Sequence, residues 1–353
     1  MTTYLCTDDI FLQHRPQGEH PERPERLVAI LRALQASDLL PQVQSLPPRP
    51  ATHAELLRVH SEDYLADLER RLGPGSGSMT ASGWLDPDTY YGPGSYQAAL
   101  YAAGGAIELA RRIYHSQRDN GFALVRPPGH HACRERAMGF CLLNNIAAAA
   151  AAVRAEGGRV AIVDFDVHHG NGTEQIFSGS PDILFVSAHQ YPFYPGTGAA
   201  AVTGEALNAG TTVNIPLPQG SAGQEYRLVF EKIVVPVLQR FAPDVILVSA
   251  GFDAHARDPL AGMSLLEADY AHMVVALLAV QPRLGLILEG GYHLDALAQC
   301  VVSTLRVLTA ATRKSPLEPE PPPASLPLLE EVRHLANTLQ SLHHLSPAER
   351  KTA

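Results

Sequence analysis

The chain has 353 residues, 46% of them hydrophobic, which is enough for one large α/β core or two smaller ones. A formal net charge of −9 without a standout Lys/Arg cluster argues against a nucleic-acid binder. The start, Met1 to Cys6, lacks the layout of a secretory signal, and the apolar stretches near 147–153 and 273–280 are too short to span a bilayer, so a cytoplasmic protein without membrane contact is expected.

Tyr4–Thr7 reads as a first strand. Residues Gly18–Arg26 form a charged loop entering a helix from Leu27 to about Leu39, with Pro24 suited to a first turn. Thr52-His-Ala-Glu55 matches a capping box, and Ser61 caps a helix through Leu72. Gly73–Ser78 is a flexible loop, and an Ala-rich helix follows from Ser95 to about His115. Phe122–Val125, Arg159–Val163, Val245–Val248 and Leu284–Ile287 are short apolar strands. Further helices are expected at Asn144–Glu156, Gln224–Arg240, Leu266–Val280 and Leu294–Ala311. The alternation favours a mostly parallel sheet wrapped by helices.

Three parts are expected: a body over 1–312, a Pro-rich extended linker over 313–327 and a helical tail over 328–353. The tail helix, about Leu328–Leu345, carries an apolar stripe of Leu329, Val332, Leu335, Leu339 and Leu342. That stripe leaves two readings open, folding back on the body or joining a neighbouring subunit of a homo-oligomer. Cys6, Cys133, Cys141 and Cys300 show no Cys-x-x-Cys pairing, so ordinary buried thiols are expected.

Four strands deliver polar residues or glycines at their C-terminal ends, the edge where open α/β sheets bind ligands. After Val163 come Asp164, Asp166 and His168, which alternation along an outgoing strand would place on one face. Val125 leads to Arg126-Pro-Pro-Gly-His130-His131, Val248 to Ser249-Ala-Gly-Phe-Asp253-Ala-His255, and Ile287 to Leu288-Glu-Gly-Gly-Tyr292. Buried carboxylates at a strand exit are costly unless a metal or a tight hydrogen-bond network holds them. Asp166, His168 and Asp253 make a three-ligand set suited to zinc with an open fourth position. His130 and His131 supply proton carriers, and Tyr292, on a flexible Gly-Gly turn, supplies a second electrophile. These pieces fit metal-assisted hydrolysis of an amide or ester.

The segments RPPGHHA (126–132), GFCLLNN (139–145), DFDVHHGNGT (164–173), FYPGTG (193–198), GFDAHARDPL (251–260) and LEGGY (288–292) resemble those of zinc-dependent histone deacetylases. The likeness is to class II enzymes and their bacterial deacetylase-like amidohydrolase relatives. It runs in family order from near residue 20 to about 310. It implies a single-domain arginase/deacetylase-type α/β fold, a parallel sheet of about eight strands between helices.

The resemblance also implies roles. Asp166, His168 and Asp253 bind zinc. His131 is the general base and then acid, with Asn171 as its neutral partner, the class II pattern. His130, oriented by Asp164, is an electrostatic partner, and Tyr292 hydrogen-bonds the oxyanion. Phe140 and Tyr194 wall an acyl-lysine tunnel, with Phe193 the alternative to Tyr194. The Gly139 carbonyl accepts the substrate amide, and Leu260 stands where polyamine deacetylases carry an acidic gatekeeper. Potassium is expected at Asp164, Asp166, His168, Ser187 and Ala188, partly through backbone, and a weaker monovalent site at Phe177, Ser180 and Ile183. His14, His20, His169 and His255 are read as structural or surface residues. Glu19, Glu22, Asp86 and Asp88 are candidates for the entrance, with solvated surface as the plainer reading.

The resulting expectation is a deacylase of acylated lysine. Alternatives are a deacetylase of polyamines or other small acylated amines, a non-catalytic acyl-lysine binder, and a two-manganese ureohydrolase of the same fold.

Overall fold

The computed structural model describes residues 1–73, 82–204, 210–313 and 326–344. All but the first residue of the Gly73–Ser78 loop, most of the Pro-rich linker and the last residues of the tail therefore lie outside the described residues.

The strands are β1 (Thr3–Cys6), β2 (Gln44–Ser45), β3 (Gly83–Trp84), β4 (Tyr90–Tyr91), β5 (Asn120–Ala123), β6 (Val160–Asp164), β7 (Ile183–Gln190), β8 (Thr212–Leu217), β9 (Val245–Ala250) and β10 (Leu284–Leu288). Eight form one sheet in the order β2-β1-β5-β10-β9-β6-β7-β8, and every pairing in it is parallel. β3 and β4 form a small antiparallel hairpin. The four strands singled out by their polar exits, β5, β10, β9 and β6, are neighbours at the middle of the sheet. Parallel strands in register bring their C-terminal loops to one edge, so residues far apart in the chain meet there.

The helices are α1 (Glu25–Gln35), α2 (His53–Leu56), α3 (Glu62–Leu72), α4 (Ser95–Tyr114), α5 (Asn145–Ala155), α6 (Asn171–Phe177), α7 (Gly223–Val229), α8 (Val235–Phe241), α9 (Glu267–Val280), α10 (Leu294–Arg313) and α11 (Leu326–Leu342). β6, β9 and β10 are buried along their whole length, as expected when helices cover both faces of a parallel sheet. Local signals explain several starts. Thr52 and Glu55 form the reciprocal capping box of α2, Ser61 caps α3, and the Asn144 side chain accepts from Ala147 N at 3.0 Å to cap α5. The alanines at 147–152 of α5 are all buried, and their small size lets α5 lie close against α4.

Two helix expectations change. The first helix ends at Gln35, four residues early, where Arg32 and Leu34 carbonyls accept from the Ala36 N–H. The helix expected over 224–240 is not one α-helix, because a π-helical turn at Phe230–Val234 separates α7 from α8. α11 packs back on α7 and the π turn, with Gln340 donating to the Lys232 carbonyl and Arg240 to that of His343. Val332, Ala336 and Leu339 are its buried positions.

Candidate active site

β6 ends at Asp164, so Asp166 and His168 lie in the turn beyond it rather than on the strand. The turn still brings them together, but Asp164 faces elsewhere. Asp164 Oδ2 meets His130 Nδ1 at 3.0 Å, and Asp164 Oδ1 accepts from Asp166 N at 3.1 Å. Backbone bonds of the turn, not strand periodicity, aim these side chains.

His168 Nδ1 lies 3.2 Å from Asp166 Oδ1 and 3.1 Å from Asp253 Oδ2. One ligand atom from each of these residues falls within 4.8 Å of the others, and among the described residues no other such cluster occurs. Both carboxylates are buried. Ligands about 2.0–2.1 Å from a tetrahedral zinc lie roughly 3.3 Å apart, so the donor set and its spacing fit such an ion. The carboxylates are fixed from behind: Asp166 Oδ2 accepts from Gly290 N at 2.8 Å and Asp253 Oδ1 from Val167 N at 2.9 Å. A side chain at Gly290 would collide with both of them.

The adjacent histidines are held differently. His131 Nδ1 meets Asn171 Oδ1, at the first position of α6, at 2.8 Å. Burial, then the neighbouring His130 and His168, hold the His131 imidazole well below its usual pKa. Burial also works against charge on His130, but the Asp166 and Asp164 carboxylates outweigh it and raise that imidazole. Neighbouring groups whose pKa values are driven apart are suited to separate acid and base duties. Glu289, which sequence reading passed over, orients this pair by accepting from Gly129 N at 2.6 Å and His130 N at 3.2 Å. The signal for it was a lone acid closing an apolar strand.

A pocket opens above the cluster, lined by His131, Gly139, Phe140, His168, Tyr194, Leu260, Tyr292 and Asp88. Gly139 and Phe140 both take left-handed backbone, with φ of 57° and 69°. For Phe140 this is strained and turns the ring into the pocket, where it meets Tyr292 edge to face at 5.8 Å. Tyr194 stands edge-on to His131 at 5.2 Å, while Phe193 stacks on His168 at 5.4 Å. Tyr194 is thus a pocket wall, and Phe193 lies behind His168.

The Tyr292 turn is tied down by hydrogen bonds. Asp258 Oδ2 accepts from Tyr292 N at 2.6 Å, and Arg26 donates to the Gly291 carbonyl at 2.6 Å. Nor does Glu22 reach the entrance. It is fully buried, accepting from Arg126 Nη2 at 2.7 Å, Arg26 Nη1 at 3.1 Å and the Tyr90 hydroxyl at 2.8 Å. Its charge is offset by two guanidinium groups, that of Arg26 four residues on and that of Arg126, which sequence distance concealed. Asp88 does line the mouth, and its carboxylate accepts from Gly139 N at 3.2 Å.

The other histidines lie outside the cluster. His169 meets Thr197 Oγ1 at 2.8 Å and Glu174 at 3.2 Å, His14 meets Ser95 Oγ at 2.8 Å, and His255 faces Glu267 at 3.4 Å. His20 sits against Phe140 at the rim, 4.7 Å between ring centres. Ser187 Oγ pairs with His189 Nδ1 at 2.9 Å, and Ser180 Oγ accepts from Arg154 at 2.7 Å. All four cysteines are free and buried. Among the described residues no helix is long and apolar enough to cross a membrane.

An eight-stranded parallel sheet with a carboxylate–imidazole cluster, paired histidines and a tyrosine at its C-terminal edge defines a protein of the deacetylase-type α/β fold. The histone deacetylase domain pattern matches residues 20–308, and the chain belongs to that family. It is 41% identical over 307 residues to histone deacetylase 14, chloroplastic, of Arabidopsis thaliana, covering 82% of this chain and 73% of that one. A probable deacetylase of Archaeoglobus fulgidus is 38% identical over 303 residues, covering 84% and 82%. The crystal structure of the HDA15 HD domain superposes with a TM-score of 0.86 at 35% identity, covering 97% of this chain and 96% of that one.

Proposed function

We infer that the chain is a zinc-dependent amidohydrolase that removes acetyl or related acyl groups from acyl-lysine-type substrates, releasing a carboxylate and a free amine. One observation carries this reading: His168 Nδ1 converges on the Asp166 and Asp253 carboxylates at the floor of a pocket walled by Phe140 and Tyr194. Zinc held there would polarise the acyl carbonyl and lower the pKa of water to about 7. The same donors satisfy iron or cobalt, so availability decides occupancy.

The chain's own groups divide the proton work. His131 takes a proton from the attacking water at Nε2 and returns it to the leaving nitrogen. Asn171, being neutral, supports that imidazole without raising its basicity as much as a carboxylate would. His130, with Asp164 behind it, places positive charge beside the reacting carbonyl. The Tyr292 hydroxyl donates to the oxygen that gains charge. Phe140 and Tyr194 flank the lysine methylenes, and the Gly139 carbonyl accepts the amide N–H. Leu260 offers a cationic polyamine tail no charge-assisted contact at the mouth, which favours acyl-lysine over small acetylated amines.

Potassium is assigned to Asp164, Asp166, His168, Ser187 and Ala188, supported by the burial of β6 beside β7 directly beneath the ligand turn. Phe177, Ser180 and Ile183 are the weaker monovalent candidate. Residues 1–312 are assigned as the catalytic unit, with α11 as its brace.

The test is a panel of acetyl-lysine, trifluoroacetyl-lysine, longer acyl-lysines and acetylated polyamines on a metal-quantified preparation, with and without a hydroxamate chelator. Hydroxamate-sensitive turnover of acyl-lysine supports the reading. Preference for polyamines moves it to the small-amine alternative. No turnover with zinc bound overturns it.

A further inference from the structure

His131 serves as a base at Nε2 only if its proton sits on Nδ1. Asn171 decides this, because its Oδ1 faces Nδ1 at 2.8 Å. A carboxamide fits nearly the same space when turned end for end. Turned so, its NH₂ would donate to Nδ1, the ring proton would move to Nε2, and the base would be blocked.

The far end of the Asn171 carboxamide meets two sulfurs. Its Nδ2 donates to Met138 Sδ at 3.3 Å and to Cys133 Sγ at 3.4 Å. A thioether has no hydrogen and only accepts, so an oxygen turned toward Met138 would face a lone pair and lose its partner. Cys133 does not undo the choice. Its thiol has acceptors other than Asn171, the His131 carbonyl at 3.6 Å and Met138 Sδ at 3.8 Å. Short backbone pairings hold both sulfurs: Met138 exchanges bonds with Cys141 at 3.2 and 3.0 Å, and Cys133 N donates to the Arg136 carbonyl at 2.9 Å. Beside them, a side chain on Gly139 would collide with the His131 ring, so the imidazole has little room to adjust.

We propose that Met138, backed by Cys133, is a positioning residue that selects the orientation of Asn171 and so fixes the His131 tautomer that leaves Nε2 free. The proposal deepens the hydrolase reading of the same site and rests on it for its catalytic consequence. It also explains what a neutral partner requires. A carboxylate accepts from Nδ1 at either oxygen and has no wrong end, whereas an amide needs an acceptor behind it.

The experiment is a double-mutant cycle of Met138→Leu and Asn171→Asp with two readouts. The first is ¹⁵N-histidine NMR on metal-free and zinc-loaded protein, with His131→Ala to assign the signal. The wild type should show one Nδ1–H tautomer, and Met138→Leu a mixture. The second is kinetics on acyl-lysine. Met138→Leu should lower kcat about ten- to a hundredfold, as a partial form of the wrong-tautomer defect, with KM and metal content unchanged. Added to Asn171→Asp, it should cost nothing further. Cys133→Ala should shift the tautomer ratio the same way by less, which keeps the test open if Met138→Leu fails to fold. A single unchanged tautomer in these variants overturns the proposal, as does an equal kcat loss in both backgrounds, which would mark packing alone. Absence of wild-type turnover would count against the hydrolase reading only, since the NMR signal reports on the sulfurs independently.

Discussion

The Arg26 guanidinium carbon lies 4.9 Å from the centre of the Tyr292 ring. The same group donates to the carbonyls of Glu289 at 2.5 Å and Gly291 at 2.6 Å, the two residues that bracket Gly290 in the turn. Glu22 accepts from its remaining arm. A buried cation thus serves as a platform for the tyrosine and as a tie for the turn that carries it. The ring is set by contacts that do not involve its hydroxyl.

Tyr292→Phe therefore keeps the platform, the edge contact with Phe140 and the turn. It should bind metal as the wild type does and lose about 10²–10³ of acyl-lysine turnover, the usual cost of one oxyanion donor. Wild-type-like turnover would remove Tyr292 from that role.

Asp253→Asn changes one proposed ligand while leaving an acceptor for Val167 N. Metal content after dialysis should fall well below that of the wild type, and added zinc should raise the melting temperature less, because ligand binding stabilises by mass action. Unchanged metal content would exclude Asp253 from the ligand set.

Leu260→Glu places a carboxylate at the pocket mouth. A charge-assisted contact is worth roughly 1.5–3 kcal/mol, so the ratio of kcat/KM for acetylated polyamines over neutral acyl-lysine should rise about tenfold or more. An unchanged ratio would show that Leu260 does not set the gate.

His60 makes stability depend on pH. It is fully buried. Its Nδ1 meets the Cys133 carbonyl at 3.0 Å, and its Nε2 accepts from Asn144 N at 3.0 Å, which requires a neutral ring. Burial pushes its pKa down to about 4, below about 6.5 in an unfolded chain. Between these values the unfolded chain binds more protons, so stability is full above about 6.5 and falls as pH drops toward 4. The loss should approach about 3 kcal/mol. Chemical denaturation across that range should show a smaller slope for His60→Gln than for the wild type. Other histidines that burial lowers, His14, His131, His189 and His343 among them, add to the slope of both proteins alike. Parallel slopes would refute the assignment.

Much of the site was legible because its chemistry is carried by unusual residue types in short segments. Seven of the eight pocket-lining residues lie in segments that stand out in the chain, and the four central strands announce themselves as apolar runs with polar exits. Helix starts were legible for the same local reason, since Thr52, Ser61 and Asn144 satisfy N–H groups within three residues. The π turn at Phe230–Val234 was not, because its sequence continues a helical pattern on both sides.

By itself, the sequence of this protein determined which side chains can ligate a metal, move protons and line a pocket, and where the four central strands run, but not β7 and β8. Those properties depend on residue type and on spacing over a few positions. Only the tertiary structure decided that the strand stops at Asp164 and leaves Asp166 and His168 to the turn beyond it, that Glu22 is buried between two arginines instead of facing the mouth, and that the amide of Asn171 ends on the sulfurs of Met138 and Cys133. Each of these outcomes depends on backbone direction after a strand ends, or on partners up to 104 residues away. Sheet register and packing set both of these, and local periodicity encodes neither.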